Sequence, residues 1–358
     1  MFKLLKILSF LLLPTVAQAA VNVVVIAPQE GEYAQYGREF AEGVKIAAND
    51  INSKGGVLGQ KINLIVADDR CEDVYAISMA QMLGVKAEEE DKISLVIGPF
   101  CRNKFSEVAS IYEKSGIVQI APLPVESDEQ NLWHIAGLKS AQAKAFFEYY
   151  QNNLSGQNVA IVYDSENRGA VDVASELQKE FMEANISSKL TSYSLITYGK
   201  NYDLLAKEVL LNNKIVFMAA NDEDVYQLRR MIKRKKADAL IFANRYVAKD
   251  FEVEGEGQYY LGLKAFKDSP YFTETLVDLR LQGAEPNGLG VYGFAALNAW
   301  IEVTTKAKSF AMEKLQNIVK TSKIAMPWGD FEAEQDDLPL LYGVFEKKGD
   351  EYTLIFLY

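Results

Sequence analysis

The side chains of this chain with the clearest chemistry are two cysteines, Cys71 and Cys101. Each follows a run typical of a buried strand, residues 64–67 for the first and 95–97 for the second. In an exported chain an even cysteine count favours one disulfide over two free thiols, and two neighbouring strand ends of one parallel sheet lie within bonding reach. Open α/β sheets bind ligands at the carboxyl ends of their strands. The bridge is therefore expected at the rim of a binding cleft; the alternative is a stabilising bridge with no ligand nearby.

Catalytic chemistry finds little support in the sequence. The single histidine, His134, has no ligand-type residue beside it, so a packed or surface histidine is expected there. No Cys/His cluster exists for a zinc site, and neither a nucleophile elbow nor a phosphate-binding glycine loop is present. We therefore predict a protein that is not an enzyme and has no cofactor or metal.

The first nineteen residues have the pattern of a secretory leader. Residues 1–6 are basic, residues 7–16 are apolar but too short to span a bilayer, and Ala17-Gln18-Ala19 is an A-x-A cleavage site. Cleavage near Ala19 predicts a periplasmic protein without membrane insertion, since no later run approaches the ~18 apolar residues of a membrane helix. An uncleaved anchor is the alternative.

The charge balance argues against nucleic acid as a partner. The net charge is −11, and loss of the leader removes two lysines, which makes the mature chain more negative still. Binding to a phosphate backbone is therefore disfavoured. The basic run at residues 233–236 closes a predicted helix, where it complements the helix dipole.

Strand-like and helix-like runs alternate along the chain, which predicts a parallel, doubly wound α/β sheet. The alternation begins with an apolar strand at residues 21–27, is followed by a helix whose apolar residues run from Phe40 to Ile51, and restarts after residue 140. About 340 residues suit two lobes better than one core. The predicted strands are residues 21–27, 62–67, 94–97, 117–121, 159–163, 215–219, 239–243, 340–346 and 352–357, and the predicted helices are 40–51, 74–86, 104–115, 140–152, 170–184, 222–235, 270–281 and 289–306.

Several short motifs, in this order and spacing, resemble the type I periplasmic solute-binding proteins of ABC importers, in the leucine/isoleucine/valine-binding family. The resemblance covers essentially the whole chain after the leader. The motifs are Tyr36-Gly37, residues 47–52 with Gly55-Gly56, Asp68-Asp69 with Cys71, residues 96–98 with Cys101, residues 111–117, Ala121-Pro122, residues 136–138, Asp164 with Gly169, and Tyr292 with Ala295-Ala296.

This resemblance implies two doubly wound parallel-sheet lobes joined by a three-segment hinge. Lobe one would hold residues 20–138 and 268–328, and lobe two residues 139–267 and 329–358, after the leader at 1–19. The solute would bind between the lobes of a monomer, and closure would present a surface to a membrane permease. The cysteine pair matches the bridge of branched-chain amino-acid binders in this family.

The ligand pocket is where the sequence departs from the family. Arg102 follows the second cysteine, where a small hydroxyl residue is usual. Val125 stands at a hydroxyl position, Arg168 replaces an aromatic, and Arg245 aligns with the carboxylate that holds an ammonium. Because guanidinium groups recognise carboxylate, sulfonate or phosphate through paired hydrogen bonds, we predict a small anionic solute. The alternative is that these arginines form ion pairs within the protein.

Tyr36 and Asn221 complete the predicted binding set. Tyr36 is expected in the loop after the first strand, where the family places an aromatic against the ligand, although ordinary loop packing would also explain it.

Two function classes remain open, a transport protein and a ligand sensor on the same fold. Conventional branched-chain amino-acid binding is the main alternative to an anionic solute.

Overall fold

A computed structural model describes most of the chain, and its strands form two separate sheets. None of the helices in the described ranges has both the length and the apolar character needed to cross a bilayer. The described residues are 20–31, 33–86, 93–101, 105–122, 131–135, 140–244, 257–264, 270–281, 288–326, 342–349 and 351–358.

The first sheet has five parallel strands in the order β2-β1-β3-β4-β5. Its three inner strands β1, β3 and β4 are mainly apolar and largely buried because helices cover both sides. The strands are β1 (Ala20–Ile26), β2 (Lys61–Ala67), β3 (Ile93–Ile97), β4 (Val118–Ala121) and β5 (Leu132–His134). The helices between them are α1 (Ala34–Ser53), α2 (Asp73–Lys86) and α3 (Phe105–Lys114).

The second sheet has seven strands in the order β12-β11-β10-β9-β8-β6-β7. Five are parallel, and the last two strands of the chain add to one edge in antiparallel orientation. The strands are β6 (Val159–Tyr163), β7 (Leu190–Ser194), β8 (Ile215–Ala219), β9 (Leu240–Ala243), β10 (Gln258–Leu263), β11 (Tyr342–Lys348) and β12 (Glu351–Leu357). The helices of this part are α4 (Ser140–Asn153), α5 (Arg168–Glu183), α6 (Tyr202–Asn212) and α7 (Asp222–Arg234).

Three further helices, α8 (Pro270–Leu281), α9 (Gly290–Ala307) and α10 (Met312–Thr321), lie between β10 and β11 along the chain. Both α8 and α9 pack on α1, the first helix of the first sheet. The α1–α9 contact is close because it is made by glycines. A Cβ atom at Gly43 would overlap the carbonyl oxygen of Gly290, and one at Gly293 would overlap that of Phe40.

The predicted fold class agrees with this architecture, and every predicted strand and helix is present. Their bounds agree within a few residues, except that α1 begins at Ala34, six residues before the predicted start at Phe40. Five elements were missed. They are β5, β7, β10, α6 and α10. The antiparallel pairing of β11 and β12 was also not expected from a purely parallel pattern.

Candidate functional site

Both sheets have a topological switch point, the place where ligands bind in open α/β sheets. In the first sheet β1 and β3 are neighbours, and the chain leaves β1 towards β2 but leaves β3 towards β4, so the two connections run in opposite directions. In the second sheet the neighbours β6 and β8 are followed by connections towards β7 and β9 in the same way. The segments that follow β1, β3, β6 and β8 are therefore the candidate site.

A disulfide joins two of the segments at the carboxyl edge of the first sheet. Cys71, after β2, is bonded to Cys101, after β3, with their Cα atoms 5.1 Å apart. The predicted pairing and its position at strand ends are confirmed, but the two strands are not neighbours as expected, because β1 lies between β2 and β3. Asp69 lies under this bridge, 1% exposed, and its Oδ1 accepts a hydrogen bond from the Cys71 N–H at 3.1 Å. Burial raises the pKa of the Asp69 carboxyl group above its usual range.

Hydrogen bonds to the neighbouring strands fix the backbone after β3. The Gly98 N–H donates to the Ile120 carbonyl and the Phe100 N–H to the Ile26 carbonyl, each at 3.0 Å. The buried Gln119 side chain donates from Nε2 to the Gly98 carbonyl at 2.7 Å. Gly98 has a φ of +121°, and a Cβ there would overlap the Ile26 carbonyl oxygen, so only glycine fits. This edge is thus a preformed surface.

The structure corrects the expected place of Tyr36. It lies in the first turn of α1, not in a loop, and its partly buried ring packs on the main apolar core. Since α1 follows the carboxyl end of β1, its positive N-terminal end lies at the same edge of the sheet.

At the second sheet, the segment after β6 is held by its own polar side chains. Asp164 donates its N–H to the Ala219 carbonyl at 3.1 Å and accepts from the Glu166 N–H on Oδ1 at 3.0 Å. Asn167 caps α5 by accepting from the Ala170 N–H at 3.1 Å. Arg168 is the first residue of α5, so its backbone lies at the switch point. The structure does not describe its side chain.

Asn221 follows β8 by two residues and caps α7. Its Oδ1 accepts from the Asp224 N–H at 2.9 Å. The side-chain oxygen of this predicted ligand residue therefore has a structural role at the start of α7.

Asn244, directly after β9, is a residue that the sequence interpretation missed. Its N–H donates to the Met218 carbonyl at 3.0 Å and its own carbonyl accepts from Gln142 Nε2 at 3.0 Å. Its side-chain Oδ1 is buried and accepts no hydrogen bond from the described residues. A buried polar atom left in this state is costly unless a ligand or water supplies the donor. The sequence feature that could have identified Asn244 is a polar amide just after a buried strand, as at Asn221.

The remaining predicted ligand residues, Arg102, Val125 and Arg245, lie outside the described residues. The structure thus brings Asn221, Asn244, Asp164 and the start of α5 to one switch point, and Tyr36 and the disulfide to the edge of the other sheet. No group of three or more histidine, cysteine, aspartate or glutamate side chains arranged for a metal occurs in the part of the chain that the structure covers.

Comparison with known proteins identifies the relatives of this chain. Residues 20–195 match the model of a family described as periplasmic binding protein. An amino acid binding protein of Pseudomonas aeruginosa is 26% identical over 309 residues, which cover 82% of this chain and 81% of the relative. A Leu/Ile/Val-binding protein of Citrobacter freundii is 25% identical over 342 residues, 91% of this chain and 90% of the relative.

Solved structures share the fold over almost the whole chain. A leucine-binding protein of Thermotoga maritima matches with a TM-score of 0.75 and 19% identity, covering 94% of this chain and 98% of that one. A solute-binding protein of R. palustris in complex with benzoate matches with a TM-score of 0.68 and 15% identity, covering 95% and 96%. These likenesses confirm the predicted fold class.

Proposed function

The chain belongs to the family of periplasmic binding proteins, and on that premise we propose that it is the solute-binding component of a branched-chain amino-acid-type ABC importer. Its partners are a small-molecule solute and the importer permease. The main support for this proposal is the pair of switch points. At each of them a sheet presents a polar carboxyl edge of the kind that binds ligands in open α/β folds.

Two lobes follow from the path of the chain. It passes from the first sheet to the second after β5, returns after β10 to pack α8 and α9 on α1, and enters the second sheet again at β11. Three connections of this kind form a hinge. We assign residues 20–138 and 268–328 to lobe one, and 139–267 and 329–358 to lobe two, with the solute held between them.

The solute we propose is a small organic anion that contacts Arg102, Arg168 and Arg245. A planar guanidinium binds a carboxylate through two parallel hydrogen bonds, and it keeps its charge when the lobes exclude water. The benzoate complex supports this choice, since that ligand is an anion without an amino group bound to a protein of the same fold. Tyr36, Val125 and Asn221 would complete the pocket.

Branched-chain amino-acid binding is the second candidate, and two observations favour it. Relatives with this coverage are named Leu/Ile/Val-binding proteins. The Asp164 carboxylate and the buried Asn244 Oδ1 also lie at the second switch point, where they would accept hydrogen bonds from an ammonium group. A ligand sensor on the same fold would use the same pocket.

The rest of the proposal concerns the form of the protein. The leader is cleaved near Ala19 and the mature chain acts in the periplasm as a monomer, without membrane insertion, nucleic acid or catalysis. Its family and fold are those of substrate-binding proteins.

A thermal-shift screen of the chain from Ala20 onward tests the function. The screen compares amino acids with dicarboxylates, keto acids, aromatic acids and phosphonates. A ligand at 100 times its dissociation constant adds about 2.7 kcal/mol to the free energy of unfolding. We expect an acid without an amino group to give the largest shift. A best response to leucine, isoleucine or valine selects the second candidate, and no response to any solute contradicts solute binding.

A further inference from the structure

A cavity of about 400 Å³ lies at the amino edge of the second sheet, on the side away from Asn221 and Asn244. It opens between the last two turns of α7 and the first residues of β9 and β10, because its lining includes Ile241 of β9 and Gln258 of β10. The length of β8 alone, five residues, separates it from the candidate cleft by about 13 Å.

The cavity carries a local positive charge in an acidic chain. Arg229 and Lys233 are four residues apart on one side of α7, Lys236 follows the end of the helix, and all three line the cavity. Asp238 is the single acidic residue among the described residues of the lining. The net charge of the whole chain is −11, so this concave surface is a place where an anion is attracted instead of repelled.

Arg229 gives the wall of the cavity a fixed positive charge. The side chain is 1% exposed, and its Nη2 donates to the Tyr259 carbonyl at 3.2 Å, which holds the guanidinium against the wall. Lys233 and Lys236 are exposed at the rim. Two adaptable ammonium groups at the rim, above a wall that carries a fixed positive charge, suit a carboxylate or phosphate.

Four further lining residues, Ile232, Ala237, Ala239 and Ile241, are apolar, and Gln258 adds an amide side chain. Apolar residues combined with convergent polar groups, in a volume within the usual range, are the pattern of small-molecule sites. We propose that this cavity is a second solute site, separate from the cleft, which binds a small organic anion with a carboxylate or phosphate group and a short apolar body.

The test uses the chain from Ala20 onward and phenyl phosphate as the probe, followed by the backbone amide signals of the protein in NMR. We expect saturable shifts at Ala237, Asp238, Ala239 and Gly257. The double variant Lys233→Gln/Lys236→Gln should bind roughly 10-fold or more weakly, and the uncharged analogue benzyl alcohol should not saturate. Because both lysines are exposed, the variant retains the fold.

The matched control is Lys179→Gln/Lys207→Gln, which removes the same charge from α5 and α6 outside the cavity, and its affinity should equal that of the unmodified chain. Equal affinities in all three proteins, shifts confined to Asn221 and Asn244, or no saturable binding would each overturn the proposal. The NMR signals that report binding lie at the cavity and not at the cleft. The second-site proposal can therefore be confirmed or refuted separately from the proposed transport function.

Discussion

At the scale of single residues, variants of the three proposed ligand arginines test whether the solute is an anion or an amino acid. A pocket that closes on its ligand leaves part of a buried anion unpaired when one guanidinium is removed, at a cost of about 2–5 kcal/mol. We expect Arg→Ala at position 102, 168 or 245 to weaken binding roughly 30-fold or more. Arg→Lys should also weaken it, because a point charge cannot form the paired fork. Calorimetry with the best ligand of the screen measures this.

The control for the arginines is Arg234→Ala at the exposed end of α7, which should bind normally. If the best ligand is a branched-chain amino acid and all three variants bind it with unchanged affinity, the arginines are structural and the anionic proposal is wrong.

Asp69 predicts a pH dependence of stability. Its pKa is raised in the folded protein by burial, so between the unfolded value of about 3.9 and the folded value the native state binds more protons than the unfolded state. Stability from this group is present below pH ~4 and is lost as the pH rises through the folded pKa. Asp69→Asn should therefore raise the free energy of unfolding at pH 7, with a gain that shrinks as the pH falls to 4.

Urea unfolding at several pH values measures this gain. Asp203→Asn is the control of opposite sign, because the Lys235 hydrogen bond lowers the pKa of that exposed carboxyl group. A destabilised Asp69→Asn variant at pH 7 would contradict the prediction.

At the scale of elements, helix ends shape the candidate site. Asn221 accepts from the Asp224 N–H at the start of α7, so Asn221→Ala should lower the free energy of unfolding by about 0.5–2 kcal/mol, whereas Asn221→Ser should retain most of it. Chemical denaturation of the ligand-free protein measures the difference. Asn152→Ala, an exposed position in α4, should not destabilise. An Asn221→Ala variant as stable as the parent would disprove the capping role.

The disulfide connects the segments after β2 and β3 across a separation of 30 residues. Closing a loop of this length is worth about 3–4 kcal/mol in the chain-entropy model. The double variant Cys71→Ser/Cys101→Ser should lose stability of that order and keep its fold. Intact-mass measurement of periplasmic material with and without reductant tests the bond itself; two free thiols in the untreated sample would refute it.

At the scale of the whole molecule, the proposed function requires that the two sheets move relative to each other. The three connections between them predict closure on a solute by hinge bending. Small-angle scattering should give a smaller radius of gyration with the ligand than without it, and the ligand should be recovered unchanged. An unchanged radius at saturation would argue against closure, and a chemically altered ligand would indicate an enzyme.

The sequence alone determined those strands and helices whose pattern of apolar and polar residues is contained within the element itself. The run that forms β1 is apolar except for Asn22, and the spacing from Phe40 to Ile51 is helical, so both were predictable from burial patterns. The cysteine pair was predictable because both residues end strands. The short edge strands β5 and β7 and the glycine-containing β10 were not, because three residues or a half-exposed polar run give too weak a pattern.

Tertiary structure decided which of these elements meet. Hydrophobic periodicity reports that a strand is buried but not the direction of its partner, so the antiparallel addition of β11 and β12 required the folded chain. The buried Oδ1 of Asn244 and the cavity beside Arg229 have the same origin. Each depends on residues distant in sequence, Gln142 for the first and Tyr259 for the second, and contacts of this kind exist only once the sheet has assembled.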